Sequence, residues 1–363
     1  MKNKFLILFT LTAVVSTAVF CQSNNKPKNI ILLIGDGMGM GAVTSSVLML
    51  DNDPFKKFQS IGFSVTCSAD ALITDSAAGA TALATGYKTD KYKISNSHDD
   101  KPLKTLLEFA KGKNYSTGIV ATISFTNATP ACFYAHNRNR DNETEIAKQF
   151  LSGRIDVSIA SGSEYFPMKL FSPAIKDSIT FLDSLKKSGY SVCNSFETLK
   201  ENKTSEKIFA ALDKYMLPKA TARNYSLGDM TKIALEKLSK NQNGFVLMVE
   251  GSQIDKGEEQ NNYDYLLGEQ KDFNTAINAA LEFAEKDGNT LVVVTADHES
   301  GALGILGKER KNINPTWGTK GHSAAMVGIF SYGPGSEKFR GVFENNIIGR
   351  MLINFIEPNL EWK

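Results

Sequence analysis

The sequence predicts an α/β fold with a mostly parallel central sheet and helices packed against it. Short apolar runs rich in Val and Ile recur along the 363 residues, and they do not alternate polar with apolar positions. Such runs are typical of parallel strands that are covered on both faces. Stretches with helical spacing lie between them, and this alternation of strand and helix is typical of α/β architecture. The 42% hydrophobic and 22% charged residues are those of a globular protein.

Five segments predict buried parallel strands, and three predict helices. The strands are Asn29–Gly35, Ser116–Ser124, Gly244–Gly251, Asn289–Asp297 and Ala324–Gly333, and the helices are residues 102–113, 229–240 and 272–288. Residues from about 163 to 225 fit neither pattern, and we interpret them as an excursion over the sheet. The whole predicts one domain, residues 28–357.

The first 21 residues predict a secretory signal peptide. Lys2 and Lys4 precede an apolar run from Phe5 to Phe20, which is too short and too near the terminus to predict a membrane span. Cleavage after Cys21 would leave an exported protein, periplasmic or secreted, without stable membrane insertion. A lipid anchor on Cys21 is disfavoured because the large Phe20 precedes it.

Charge and cysteine content exclude several classes of partner and site. Removing Lys2 and Lys4 from 41 basic residues leaves as many basic as acidic residues, of which there are 39. This balance gives no electrostatic reason to expect nucleic acid as a partner. Cys67, Cys132 and Cys193 are widely spaced, so they predict neither a disulfide framework nor a zinc motif, although one disulfide stays open.

Side chains that bind metal ions follow the predicted strands at their carboxyl ends. Open α/β sheets place their functional sites at this edge, so the pattern predicts a metal site there. The residues concerned are Asp36, Asn127, Thr129, Glu250, Asp297 and His298.

The glycine-rich stretch Gly35–Gly41 admits a second interpretation, a dinucleotide-binding loop. The spacing disfavours it, because Met40 holds the position of the last glycine and Asp36 would face a pyrophosphate. We therefore interpret the glycines as allowing close backbone packing while Asp36 faces a cation.

The stretch "TDSAAGATALATG" predicts a helix that begins at Thr74, Asp75 and Ser76. A serine at a helix N-terminus suits an anionic ligand such as phosphate, although a plain capping serine is the simpler alternative. The chain has no G-x-S-x-G motif, so a serine activated by metal is favoured over a Ser-His-Asp hydrolase.

The arginines and histidines divide into site candidates and structural residues. Arg140 is a candidate clamp for two phosphoryl oxygens, whereas Arg138 and the histidines His98 and His136 are expected to be surface or structural residues. Together with Asp297, the pair His298 and His322 predicts nitrogen ligands for zinc.

Six motifs taken together are similar to the alkaline phosphatase family, in order and at family-like spacing, over about residues 28–335. They are "NIILLIGDGMG", "TDSAAGATA", "NATPACFYAHNRNR", "VEGSQID", "TADHESG" and "WGTKGHSA". The resemblance implies a doubly wound core, a site for three metal ions, and hydrolysis of small-molecule phosphate monoesters through a phosphoserine. It also implies a homodimer.

The resemblance assigns a role to each matching position. It implies that Ser76 is the nucleophile, that Arg140 holds the phosphate, and that Lys256 contacts phosphate or magnesium through water. It implies three ligand sets: Asp36, Asp297 and His298 for the Zn²⁺ that activates the serine; Asp36, Thr129 and Glu250 for Mg²⁺; Asp255 and His322 for another Zn²⁺.

Two positions depart from the family pattern. Asn127 stands where many members have an aspartate and others a histidine, which looks tolerable for a magnesium site. Glu259 stands where members usually have a histidine, four residues after Asp255. A carboxylate there can bind zinc, but its charge weakens the Lewis acidity of the ion and shifts the preference toward magnesium or manganese. The alternative is that Glu258 and Glu259 face solvent, and that the second zinc is loose or absent.

Two other functions stay open at this point. One is a metal- and phosphate-binding relative with little turnover, although an intact Ser76 and Arg140 argue against it. The other is a phosphodiesterase of the same superfamily. A sulfatase is disfavoured because the residues after Ser76 are Ala-Ala-Gly-Ala, which lack the C/S-x-P-x-R motif.

Overall fold

The structure is a computed structural model that describes residues 26–170, 179–309 and 312–362. Its strands are β1 Asn29–Gly35, β2 Ser60–Val65, β3 Ser116–Ser124, β4 Val157–Ser161, β5 Lys169–Leu170, β6 Ile179–Thr180, β7 Ser191–Cys193, β8 Ile208–Ala211, β9 Phe245–Gly251, β10 Thr290–Thr295, β11 Glu299–Ser300, β12 Gly304–Glu309, β13 Asn312–Thr316, β14 His322–Ser323, β15 Val327–Tyr332 and β16 Gly341–Glu344. Its α-helices are α1 Met40–Met49, α2 Ser76–Thr85, α3 Leu106–Gly112, α4 Ala128–Ala131, α5 Glu143–Phe150, α6 Phe181–Lys187, α7 Phe196–Glu201, α8 Leu227–Leu238, α9 Ile254–Glu259, α10 Tyr263–Asp287 and α11 Asn345–Ile356.

Within the described residues, ten strands form one sheet in the order β16-β2-β15-β10-β1-β9-β3-β4-β8-β7. Parallel pairing runs unbroken from β10 through β1 to β7. Only β15 opposes this direction in the described sheet, since it pairs antiparallel with both β10 and β2. The fold prediction of a mostly parallel sheet flanked by helices is confirmed.

Two apolar cores cover the two faces of the sheet. Ile30, Leu32 and Ile34 of β1 point into a core with α2, α3, α4, α5, α6 and α11. Ile31 and Leu33 of the same strand point into a second core with α1, α7, α8, α9 and α10. Because neighbouring residues of one strand are both buried, the strand appears in sequence as a continuous apolar run.

The sequence-based expectation is wrong in two places. It made Ala324–Gly333 a parallel strand, whereas β15 is antiparallel; burial on both faces produces an apolar run in either direction. It also placed residues 163–225 over the sheet, whereas β7 and β8 extend the sheet itself beyond β4. These strands have only three and four residues, which is too short for a periodic signal.

Two further expectations concern the signal peptide and membrane insertion. The predicted signal peptide, residues 1–21, lies outside the described residues. Among the described helices, none combines the length and the apolar character that crossing a membrane requires.

The order of the central strands decides where the metal-binding side chains meet. In register, Ile34 of β1 lies beside Glu250 of β9 on one side and Thr295 of β10 on the other, and Ala121 of β3 lies beside Glu250. The carboxyl ends of β10, β1, β9 and β3 therefore form one continuous edge. Asp36 and Asp297 follow directly at this edge.

Candidate active site and metal centre

The first candidate metal centre consists of Asp36, Asp297 and His298, whose donor atoms all lie within 4.8 Å of one another. His298 Nε2 is 3.3 Å from Asp36 Oδ1 and 3.3 Å from Asp297 Oδ2. The other carboxylate oxygen of Asp297 accepts the backbone N–H groups of Gly37, at 3.2 Å, and His298, at 3.0 Å. These bonds hold the carboxylate so that Oδ2 faces the centre.

The second candidate centre consists of Asp255, His298 and His322, again within 4.8 Å. His322 Nδ1 lies 2.8 Å from the Thr74 carbonyl; because a carbonyl only accepts, Nδ1 carries the proton and Nε2 keeps its lone pair. This Nε2 is 3.8 Å from Asp255 Oδ1, which also accepts a 2.5 Å hydrogen bond from Ser300 Oγ. The two imidazole rings stack with centroids 3.6 Å apart.

A third group of oxygens lies at the ends of β9 and β3. Glu250 is fully buried, and within the described chain neither of its carboxylate oxygens makes a hydrogen bond. Thr129, in the first turn of α4, is equally buried, and its hydroxyl makes no hydrogen bond to a residue that the structure describes. Asn127 is the N-cap of α4 without a side-chain capping bond, so its amide is free to face the cavity.

The electrostatics of this edge favour cations. Burial, followed by the charges of Asp297, Asp255 and Glu250, raises the pKa of Asp36 well above its usual range. Burial also raises the pKa of Glu250 to about 8 and lowers that of His298, despite the carboxylates around it. Like charges buried together are unfavourable unless a cation compensates them.

The donor atoms fit divalent metal ions. Asp36 Oδ1, Asp297 Oδ2, Thr129 Oγ1 and both Glu250 oxygens are buried and make no hydrogen bond to any described residue. Buried polar atoms are normally paired, and groups of unpaired oxygens are the usual surroundings of a bound ion. The first two sets mix oxygen with imidazole nitrogen, which suits zinc; the Glu250 set is all oxygen, which suits magnesium.

Ser76 is the first residue of α2, as the sequence predicted. Its neighbour Asp75 is the N-cap, and Asp75 Oδ1 accepts the backbone N–H of Ala78 at 3.1 Å. Ser76 is only 5% exposed, and its Oγ lies 3.2 Å from His298 Nε2. The hydroxyl therefore adjoins both candidate metal centres and the positive end of the helix.

Arg140 is held beside Ser76 by Asp75. Its guanidinium donates to Asp75 Oδ2 at 3.1 Å, and the side chain is 22% exposed. Burial lowers the pKa of Arg140, but the carboxylate of Asp75 outweighs this and raises it. Asp75 Oδ2 also accepts the backbone N–H of Tyr92, at 3.2 Å. A single aspartate thus caps the helix and orients the arginine.

An open cavity of about 470 Å³ connects these groups. This volume is in the usual range for small-molecule sites. Of the twelve predicted site residues, eight line the cavity and the other four are buried around the metal centres. The eight are Asp36, Ser76, Asn127, Arg140, Asp255, Lys256, Glu259 and His322, and the four are Thr129, Glu250, Asp297 and His298.

Glu259 lines the cavity but forms an ion pair there. Its Oε2 is 2.6 Å from Lys256 Nζ, and the same ammonium is 3.2 Å from Asp255 Oδ2. Burial lowers the pKa of Lys256, but the charge of Asp255 and the hydrogen bond to Glu259 raise it overall. The carboxylate side chain is 36% exposed. Lys256 therefore bridges Glu259 to the second candidate metal centre.

Glu258 does not face solvent, contrary to one of the sequence-based alternatives. It is fully buried, and both of its carboxylate oxygens are without a hydrogen bond among the described residues. Burial, and then the charges of Glu299, Asp255 and Asp297, raise its pKa well above the usual range. The helical position explains this, since Glu258 follows the buried Ile254 by four residues on α9.

Arg138, His98 and His136 lie where the sequence predicted, at the surface or in a structural role. Arg138 is 80% exposed and lies 3.8 Å from Asp100, and His98 is exposed beside Asp90. His136 is a structural residue between the Ser95 carbonyl and Glu108. Sequence reasoning missed the supporting roles of Thr74, Asp75 and Ser300, whose only signal is their position next to predicted site residues.

Comparison with known proteins agrees with this site. A model of the alkaline phosphatase family matches residues 27–314, which is most of the chain. The chain belongs to the alkaline phosphatase family. Alkaline phosphatase 4 of Bacillus subtilis is 31% identical, over 91% of this chain and 90% of its own length.

Solved structures of the family share this fold. The alkaline phosphatase from the Antarctic bacterium TAB5 superposes with a TM-score of 0.85 at 38% identity, covering 92% of this chain and 98% of that one. A mutant of that enzyme with magnesium bound in its M3 site matches equally well. Membership in this family and the geometry of the site support phosphate monoester hydrolysis that depends on divalent metal.

Proposed function

We propose that this protein hydrolyses small-molecule phosphate monoesters through a phosphoserine at Ser76, with bound Zn²⁺ and Mg²⁺. The observation that carries the proposal is the convergence on one cavity of Ser76 Oγ, the Arg140 guanidinium and two histidine–carboxylate sets. A protein that only binds phosphate needs no nucleophile beside the arginine.

The side chains have complementary roles in this reaction. Ser76 Oγ attacks phosphorus in line with the leaving alcohol, so that an O–P bond to serine forms as the ester O–P bond breaks. The planar fork of Arg140 donates to two non-bridging oxygens, and the N-terminus of α2 favours the negative charge. Water then cleaves the phosphoserine and releases inorganic phosphate. When bound, the metal ions act as Lewis acids that stabilise the attacking and leaving oxygens.

The ligand sets divide between the two metals by chemistry. Asp36, Asp297 and His298 would hold one Zn²⁺, and Asp255 with His322 would hold the other. Asp36, Thr129 and Glu250 would hold Mg²⁺, with Asn127 contributing an amide oxygen. Glu259 is proposed as an additional ligand for the second centre. To bind the ion, its carboxylate must give up the ion pair with Lys256. Lys256 would then be free to contact substrate phosphate.

The remaining proposals concern the whole chain. Residues 28–357 would form one catalytic domain, exported by the predicted signal peptide at residues 1–21. A homodimer is implied by the resemblance to the family and would be checked by sedimentation of the purified protein.

The deciding experiment compares the purified protein with a Ser76→Ala variant on an aryl phosphate at alkaline pH, with zinc, magnesium, manganese or cobalt supplied. We expect Ser76→Ala to lower kcat by about 10³-fold or more, because the nucleophile is lost. Acid quenching during turnover should trap phosphate on Ser76, visible by peptide mass spectrometry. The matched control is Ser163→Ala, a serine in a short helix at residues Ser163–Tyr165 that does not line the cavity.

Three outcomes would overturn the proposal. Turnover that survives in Ser76→Ala would exclude the phosphoserine route. Bound metal and phosphate without turnover under any metal condition would instead indicate a binding protein, and activity on diesters alone would indicate a phosphodiesterase.

A further inference from the structure

The mouth of the cavity carries apolar side chains that the proposed chemistry does not use. Tyr92, Ile73 and Ile123 line the same cavity as Ser76 and Arg140. Tyr92 is 52% exposed and Ile73 is 41% exposed. Large apolar side chains are seldom exposed together beside a polar site unless they bind something.

The backbone of Tyr92 is fixed to the phosphate-binding groups. Its N–H donates to Asp75 Oδ2 at 3.2 Å, and its carbonyl accepts the backbone N–H of Arg140 at 2.8 Å. The backbone of Tyr92 is therefore hydrogen-bonded both to Asp75, which orients Arg140, and to Arg140 itself. Any displacement of Tyr92 relative to the phosphate position is limited by these two bonds.

Tyr92 also adopts a conformation that is costly for its residue type. Its φ is +67°, in the left-handed region that glycine and asparagine occupy more easily. Bulky residues persist there only when the surroundings hold them, and such positions concentrate at functional sites. Here the two backbone hydrogen bonds hold the backbone while the aromatic ring stays exposed at the cavity.

Outside the groups assigned to metal and phosphate, the charged side chains of the cavity do not select for a second ionic group. They are Lys91 and Asp141, one of each sign, so a neutral leaving group is not disfavoured. The apolar surface of Tyr92 and the two isoleucines is therefore the part of this cavity wall that is open to an uncharged group attached to the phosphate.

We propose that Tyr92, with Ile73 and Ile123, forms a subsite for the leaving group, and that it favours phosphate monoesters of aromatic alcohols over those of small polar alcohols. This subsite rests on the proposed phosphomonoester hydrolysis and names its preferred substrate class. The Tyr92 ring supplies a face for offset or edge-on aromatic packing, and the isoleucines supply apolar walls.

The test compares kcat/KM for phenyl phosphate and for glycerol phosphate in the metal-loaded enzyme. The two esters differ in intrinsic reactivity. The quantity compared between variants is therefore kcat/KM for phenyl phosphate divided by kcat/KM for glycerol phosphate. We expect Tyr92→Asn to lower the phenyl-to-glycerol ratio by about two- to tenfold, the range of one aromatic contact. Asparagine tolerates the left-handed backbone, so the substitution removes the ring without adding strain.

Two controls separate the ring from other effects. Tyr92→Phe keeps the ring and should leave the ratio within about twofold of wild type. Leu72→Asn removes a side chain that is 74% exposed next to Ile73 but does not line the cavity, and it should also leave the ratio unchanged. An unchanged ratio in Tyr92→Asn, or an equal fall in Leu72→Asn, would overturn the subsite.

A binding measurement distinguishes failure of the subsite from failure of the proposed function. Phenylphosphonate and methylphosphonate carry a similar anion but cannot be hydrolysed as esters. Calorimetry should show tighter binding of phenylphosphonate to wild type and loss of that preference in Tyr92→Asn. If no monoester is hydrolysed but this preference is found, the proposed function fails, and with it the leaving-group role, while Tyr92 remains a contact for aromatic groups. Equal binding of both phosphonates to wild type would overturn the subsite alone.

Discussion

Glu259 lies beside the second candidate metal centre, where a carboxylate in place of an imidazole would change the charge. Asp255 and His322 supply one carboxylate and one imidazole, and a second carboxylate at position 259 adds negative charge where family members usually have a neutral ring. In the structure Lys256 compensates that charge at 2.6 Å. A cation entering the second centre must therefore compete with an ammonium that is already bound to both carboxylates.

We predict that Glu259→His raises zinc affinity at the second centre on the order of tenfold, because imidazole is a better zinc ligand than a carboxylate paired with lysine. Zinc retained per chain during competition with a chelator measures this without reference to turnover. The control is Glu259→Gln, which removes the same charge but supplies no nitrogen ligand. If the histidine and glutamine variants retain equal zinc, position 259 does not contact the ion.

The individual site residues were largely predictable, and their partners were not. Asp36, Glu250 and Asp297 are visible in sequence because each follows an apolar run, and adjacent strand ends bring them together in the fold. Asp75 orients Arg140, which lies 65 positions later in the sequence, and Ser300 reaches Asp255, which lies 45 positions earlier. Contacts at such separations depend on the folded chain path, so no local pattern indicates them.

At the scale of elements, α2 positions Ser76, the proposed nucleophile, through very close packing. A methyl group at Gly79 would lie 2.5 Å from the backbone oxygen of Asp297 and 3.2 Å from its Cβ. The helix thus rests directly on the segment that carries Asp297 and His298, with no side chain between them. Near the C-terminal end of α2, Gly349 of α11 permits a similar approach to the Ala82 carbonyl, where a methyl group would lie at 2.4 Å.

We predict that Gly79→Ala lowers the free energy of unfolding by about 1–3 kcal/mol, because the added methyl group forces α2 away from Asp297. Chemical denaturation measures the change. The matched control is Gly112→Ala in α3, where the nearest atom to the new methyl group is 4.0 Å away; there the substitution should leave stability unchanged or raise it by up to ~1 kcal/mol. Similar destabilisation in both variants would show that steric contact with Asp297 is not the cause.

Helices and strands with a long apolar pattern in the sequence were predicted, and those with a short or interrupted pattern were missed. The helix predicted at 229–240 is α8, observed at Leu227–Leu238, and the buried runs became β1, β3, β9 and β10. The helix predicted at 272–288 begins earlier, at Tyr263 after the cap Asn262. Its first part was missed because Gly268 and the polar residues 269–271 interrupt the apolar stripe. The antiparallel direction of β15 was not predictable, because a strand that is buried on both faces has the same apolar sequence in either direction.

At the scale of the whole molecule, the site depends on residues spread from Asp36 to His322. The doubly wound order of the strands places β10 and β9 on either side of β1, so that distant segments end at one edge. The acidic groups collected there are unfavourable in the absence of cations. The sheet and its two cores must therefore provide the stability that holds this edge together.

Glu164, a half-buried carboxyl outside the candidate site, is expected to make the stability of the whole fold depend on pH. Burial, followed by the charges of Glu143 and Asp213, raises the pKa of Glu164 from an ordinary 4.5 to about 7. Its Oε2 makes no hydrogen bond within the described chain. Between pH 4.5 and about 7 the folded state therefore binds a proton that the unfolded state has lost, and stability falls as pH rises through this window.

We predict that Glu164→Gln removes this dependence, because glutamine stays neutral at every pH. The stability of the variant relative to wild type should increase from pH 5 to pH 8 by about 1 kcal/mol, which is less than the full shift because the half-exposed side chain is screened by water. Thermal unfolding of both proteins at the two pH values measures the difference, in which the other titrating groups cancel. If the difference in stability is the same at pH 5 and pH 8, Glu164 has the same pKa in the folded and unfolded states. If the variant is less stable relative to wild type at pH 8 than at pH 5, the fold stabilises the Glu164 carboxylate instead of destabilising it.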